Sequence, residues 1–295
     1  HEIELTRRWL AADGVEAPDA RLAELAMNEG YVAYFALRYD EALAALGRAE
    51  AAYAELGDEV MVARCRCFVA SVWFYQDRFR DSEARAKESI EQASKNDPGR
   101  AVTGLFAAHL LAQHAGLRGD FEAALRWQLD VSEYAAASGK LWREAFALLK
   151  IADLELVLGR VDDAARHLDE AVAGIHAVRD EELLGEALQV EVHLALARGR
   201  AAEVRPRLLA RVRIIEARGE LWALTSLRLT EARVAAALDD AAAAAAAAQR
   251  FLEACRVVSH DEPPTLAGIH ALAATLDELG ESQAATDLRD HVARR

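Results

Sequence analysis

Proline is nearly missing, with 5 in 295 residues. Proline breaks helices, so its scarcity leaves long helices open to most of the chain. Cysteine is rarer still, with three residues, Cys65, Cys67 and Cys255. Cys65 and Cys67 lie two apart. On a helix they face different ways, which excludes a disulfide between them and a zinc pair. An odd count without a framework is what a reducing compartment predicts, and the expected location is cytoplasmic. No apolar run approaches the ~20 residues of a membrane span. The chain begins His1-Glu2-Ile3-Glu4, without Met and unlike a signal peptide, so a piece of something longer is expected.

Positive charge is also short. Lys and Arg number 35 against 49 Asp and Glu, giving a net charge of −14. A nucleic-acid face needs clustered cations to neutralise phosphates, and an anionic membrane surface asks the same, so neither is an expected partner. The acidity pulls weakly toward a basic or neutral partner, and plain solubility is the stronger reading of it. No Gly-rich phosphate loop, nucleophile elbow or zinc motif occurs. The expectation is therefore no enzyme, no cofactor and no metal.

What is present is Ala and Leu in abundance, both strong helix formers. A turn motif also recurs. Leu158-Gly159-Arg160-Val161-Asp162-Asp163-Ala164 has relatives at Gly119-Asp120-Phe121, Gly199-Arg200-Ala201, Asp239-Asp240-Ala241, Arg38-Tyr39, Asp77-Arg78-Phe79 and Gly280-Glu281-Ser282. Taking the residue after the turn as anchor gives Tyr39, Phe79, Phe121, Val161, Ala201, Ala241 and Ser282, spaced 40, 42, 40, 40, 40 and 41 apart. The period predicts helix pairs. First helices fall at about 19–37, 59–76, 99–117, 140–158, 180–198, 220–238 and 264–279, and second helices start near each anchor. Residues 1–16 read as an N-terminal helix or cap. No linker marks a second domain, so residues 1–295 read as one domain.

The register exposes two columns of small residues. Nine before each anchor stand Gly30, Ala70, Ala112, Ala152, Val192, Ala232 and Ala273. Three after stand Ala42, Ser82, Ala124, Ala164, Val204, Ala244 and Ala285. Small side chains at fixed places let neighbouring helices approach closely, and each pair buries its face only by stacking on the next. The tract Ala241–Ala248 keeps the same period and reads as helix with a shallow packing face.

A small residue in the first helix, Gly-Asp-aromatic-x-x-Ala at the turn, and small residues after it resemble the tetratricopeptide repeat. Gly119-Asp120-Phe121-x-x-Ala124 and Gly159-Arg160-Val161-x-x-Ala164 carry the resemblance best. It implies an all-α, right-handed superhelical solenoid of about seven antiparallel helix pairs. The period of about 40 departs from the usual ~34. It is similar to the long-repeat arrays of bacterial multidomain transcription regulators, the maltose-regulator-like and antibiotic-regulator-like ones. There the array receives an effector or a protein partner, and the first helices line the inner face.

Eight before the anchors stand Tyr31, Ser71, Gln113, Asp153, His193, Arg233 and Ala274, six of them able to hydrogen bond. One turn earlier lie Met27, Cys67, His109, Leu149, Gln189, Leu229 and His270. Tyr34, Phe35, Phe74 and Tyr75 add aromatic rings one turn later, and Arg64 adds a cation with Lys150 nearby. The expected ligand groove therefore comprises Tyr31, Tyr34, Arg64, Ser71, Phe74, His109, Gln113, Asp153, Gln189, His193 and Arg233. Arg64 and Arg233 sit in separate repeats, which argues against a carboxylate clamp. Asp153 and His193 are equivalent in adjacent repeats and close enough to meet, as a polar contact and not an acid–base pair. His167 and His176 are expected on the outside, and Trp142 and Trp222 in the packing between repeats.

The expected function is a non-catalytic module binding a protein, a peptide or a small effector, as the sensor or scaffold of a bacterial regulator. The alternative is an oligomerisation scaffold with a second copy as partner, making contacts through Trp9, Leu288 and Val292.

Overall fold

The computed structural model describes residues 19–255 and 263–293. The expected cap at 1–16, Trp9 and most of the break before Pro264 lie outside them. Fourteen helices and no strand occur among the described residues. They form seven pairs: α1 (Ala20–Phe35) with α2 (Tyr39–Glu55), α3 (Glu59–Tyr75) with α4 (Phe79–Glu91), α5 (Pro98–Leu117) with α6 (Phe121–Ala137), and α7 (Leu141–Val157) with α8 (Val161–Val178). Then follow α9 (Glu181–Ala197) with α10 (Ala201–Arg218), α11 (Leu221–Ala236) with α12 (Ala241–Cys255), and α13 (Pro263–Glu278) with α14 (Ser282–Ala293). Every anchor is the first residue of a second helix, so the sequence period is the structural period.

The turn has one backbone requirement. Leu37, Asp77, Gly119, Gly159, Gly199, Asp239 and Gly280, each two before its anchor, all have positive φ, between 56° and 85°. That left-handed conformation closes the first helix, and glycine takes it without a Cβ penalty. Here the orphan carbonyls are covered by the turn: Arg160 N donates to Glu155 O at 2.8 Å, and Arg200 N to Ala195 O at 2.8 Å.

Both small columns are buried throughout. At Gly30 a Cβ would lie 2.7 Å from Leu46 Cγ, so α1 and α2 touch where only glycine fits. The alanine tract buries Ala244, Ala247 and Ala248 completely, beside Phe251.

The contacts gather into two compact units, 1–114 with 130–140, and 115–129 with 141–295. The first holds α1 to α4 with most of α5 and the end of α6. Its core is Leu46, Tyr53, Cys65, Phe68 and Val72. The second holds α7 to α14. In it, α7 lies against α9, α9 against α11 and α11 against α13, while α13 also meets α7. Four first helices thus meet in a ring, and two members of the column, Asp153 and His193, stand where α7 meets α9.

Some expectations change. His167 is buried, not outside: its Nδ1 lies 2.7 Å from Glu155 Oε2 and its Nε2 lies 3.1 Å from an Arg166 nitrogen, so it ties α8 to the end of α7. His176 is exposed. Trp142 is 41% exposed and takes the Arg143 guanidinium over its ring, so it is not a packing residue between repeats. Leu288 is fully buried in the last pair and is not available to a second copy.

Candidate functional site

The expected groove falls into two groups, one in each unit. In the first unit the rings collect. Tyr31 packs edge-on against Phe68 at 4.6 Å, and Tyr34 lies 5.9 Å from Tyr75. Phe74 lies against Tyr75, Phe79 and the buried His114. Burial, and then Tyr75 beside it, pushes the Tyr34 phenol well above its ordinary range. Phe35 stays 65% exposed and Tyr75 43%. This group is an aromatic edge, apolar with hydroxyl tips.

Two polar members of that unit are engaged by the fold. Ser71 Oγ donates to the Cys67 carbonyl on its own helix at 3.1 Å. Arg64 Nη2 donates to the Gly99 carbonyl at 3.0 Å, in the first turn of α5. His109 and Gln113 are half-buried on α5. The column that carries Met27, Cys67, Leu149 and Leu229 is buried core at those four places, so it lines no groove there. Cys65 and Cys67 are both fully buried, and burial pushes each thiol up to about 12. They are inert packing groups, since the thiolate is the reactive form.

In the second unit the structure brings the column together. His193 Nδ1 lies 2.8 Å from Asp153 Oδ1, joining α9 to α7. His193 Nε2 lies 3.3 Å from Thr230 Oγ1, joining α9 to α11. The Thr230 hydroxyl donates to the Ser226 carbonyl at 3.1 Å, which leaves its oxygen free to accept from the ring. The side chains of Asp153 and His193 are only 14% and 13% exposed. Three helices of the ring are therefore linked by one hydrogen-bonded chain.

Charge gathers at the same place. Burial alone would raise Asp153, but the charge and hydrogen bond of His193, and then Lys150 and Arg233, hold its carboxyl below the usual value. Burial pulls Arg233 down and Asp153 opposes it. Lys150 also stands over the Phe146 ring at 5.1 Å. Lys150 on α7 and Arg233 on α11 act on the same carboxylate, while Arg64 belongs to the first unit. Gln189 is half-buried one turn before His193, on the same face of α9.

Thr230 is the member that counting in steps of forty misses. It stands three before Arg233, hence on one face with it. Reading i and i+3 neighbours of the column would have found it. Glu155 with His167 escapes for another reason: two charged-type residues twelve apart on different helices carry no short-range pattern. No group of three or more His, Cys, Asp or Glu among the described residues is placed to hold a metal ion. No described helix is long and apolar enough to cross a membrane.

The fold so built is that of tetratricopeptide-like helical repeats. No protein-family model and no curated protein matches the chain. Solved structures do. The apo form of RapI superposes with a TM-score of 0.68 at 14% identity, covering 90% of this chain and 94% of RapI. A Rap protein in complex with competence and sporulation factor gives 0.68 at 14% identity, covering 93% of this chain and 75% of that one.

Proposed function

We propose that the chain is a non-catalytic binding module that takes a short peptide or a small effector on the inner faces of its first helices, centred on Asp153, His193 and Arg233. The observation that carries this reading is the chain Asp153–His193–Thr230 across three helices. Buried polar groups are costly unless paired, and a core needing only to pack would use apolar residues at those places. A few convergent polar groups in a shielded, otherwise apolar setting are what ligand sites share. The Rap protein held with competence and sporulation factor shows that a fold of this kind takes up a partner, which supports the reading. In the same proposal the module is the sensor or scaffold part of a regulatory protein, with the partner's binding as its input.

The test is selection of short peptides from a displayed library on the full chain, followed by affinity measurement. His193→Asn is expected to weaken a selected peptide by about tenfold or more, the worth of one charge-assisted hydrogen bond, while circular dichroism keeps its helical form. Undiminished binding by His193→Asn and by Asp153→Asn would overturn the assignment of the site.

A further inference from the structure

We propose that α10 carries a docking surface for an acidic amphipathic helix of a partner protein, separate from the inner faces of the first helices. Helix α10 holds five arginines and no lysine, against Glu203 and Glu216. Every other second helix is neutral or acidic by the same count. Glu216 is taken by Arg228 of α11 at 2.7 Å, and Glu203 lies 3.7 Å from Arg200. Arg207, Arg211, Ile214 and Arg218 stand at i, i+4, i+7 and i+11, which is one face of the helix. Arg207 reaches Glu191 and Arg211 lies against Gly185, so the row runs along the side where α10 meets α9.

Arg211 is seated, not merely solvated. A Cβ at Gly185 would lie 2.2 Å from its Nη2 and 2.6 Å from its Cζ, so the guanidinium rests on bare backbone of α9. Glycine inside a helix weakens it, and an arginine that needs only water needs no such seat. Half-buried there, Arg211 makes no hydrogen bond and no ion pair among the described residues. Arg207 and Arg218 meet Glu191 and Glu220 in exposed pairs, which an incoming acid exchanges at little cost. Ile214, between Arg211 and Arg218 in the row, is 47% exposed. Planar arginine forks around an apolar residue suit a protein interface. Charge complementarity names the occupant, since the rest of a chain at −14 repels an acidic segment. The helical spacing of the row matches carboxylates set out on a second helix. The glutamates beside Arg207 and Arg218 and the exposed isoleucine disfavour a continuous phosphate backbone.

The experiment is fluorescence anisotropy on the full chain at about 0.05 M salt, where surface charge is weakly screened. The probe is a labelled alanine-based helical peptide with Glu at i, i+4 and i+11 and Leu at i+7. Its control is a peptide of the same composition in shuffled order. The matched peptide is expected to bind at least about threefold tighter than the shuffled one. Gly185→Ala puts a methyl group where the guanidinium rests and displaces only the tip of a flexible side chain. It is expected to weaken the matched peptide by about two- to fivefold without lowering the melting temperature. Arg218→Gln is expected to do the same by direct loss, while Arg213→Gln, off the row, keeps the preference for the matched peptide. Equal binding of the two peptides by the unaltered chain overturns the inference. So does a preference that survives both Gly185→Ala and Arg218→Gln. Tighter binding of a DNA duplex or of phosphatidylserine vesicles than of the matched peptide overturns it in favour of a phosphate ligand. Self-association in sedimentation that Arg218→Gln abolishes overturns it in favour of a second copy. His193→Asn is expected to leave this binding intact, so the inner-face reading is judged apart from it.

Discussion

Seven residues share one backbone conformation at one place in the repeat, and six of them are Gly or Asp. The seventh, Leu37, holds φ 58° with its side chain 71% exposed. A Cβ in the left-handed region costs about 1–2 kcal/mol. Nothing lies within 4 Å of a Cβ added at Gly159, so only that backbone cost applies there. Gly159→Ala is expected to lower stability by about 1–2 kcal/mol in urea denaturation. Leu37→Gly is expected to raise it by about 0.5–1 kcal/mol, strain relief less the extra freedom of the unfolded chain. A result of the same sign for both would remove the turn from the account. Asp153 makes a separate prediction, in acid. Its folded value is depressed, so its stabilising contribution is complete above the unfolded value of 3.8 and drains away as pH falls from there through the lower folded value. The melting temperature of Asp153→Asn should therefore fall less between about pH 5 and about pH 2 than that of the unaltered chain, as followed by circular dichroism.

The helices themselves were legible from the spacing of the turns, since a turn that needs a left-handed residue leaves a mark in the sequence. Tyr39, Phe79, Phe121, Val161, Ala201, Ala241 and Ser282 begin helices where the count of forty placed them. The small columns were legible for the same reason: close approach admits few side chains. What the spacing does not carry is the return of α13 to α7, because it joins residues more than a hundred apart through the sum of small rotations between repeats. Nor does the spacing carry how the column divides, with an aromatic group in the first unit and the Asp153–His193–Thr230 chain in the second. At this scale the close packing is testable. Ala232 is fully buried on α11, and a larger residue there has to push helices apart. Ala232→Leu is expected to cost about 1–3 kcal/mol in chemical denaturation. Phe251 is the largest fully buried side chain among the described residues, against the alanine tract of α12. Phe251→Ala is expected to cost about 3–5 kcal/mol, because a helix of alanines has no long side chains with which to fill the hole.

At the scale of the whole molecule the excess of acid surrounds the two cations that act on Asp153. The chain carries −14, while in the second unit Lys150 and Arg233 act on the Asp153 carboxylate, which His193 also engages. An anionic ligand must cross a repelling field before it reaches an attracting site. The two act over different distances. The screening length is about 30 Å at about 0.01 M salt and about 10 Å at about 0.1 M. Raising salt across that range removes the long-range repulsion first, and it weakens a direct contact at a half-buried group less. Association of a ligand with a free carboxylate should therefore quicken by about two- to fivefold between those salt concentrations, with the dissociation rate nearly unchanged. A neutral amide of the same ligand should show neither change. Stopped-flow fluorescence with a labelled peptide measures both rates. Association that slows with salt would mean that the ligand approaches a positive surface patch, in place of the interior of the ring.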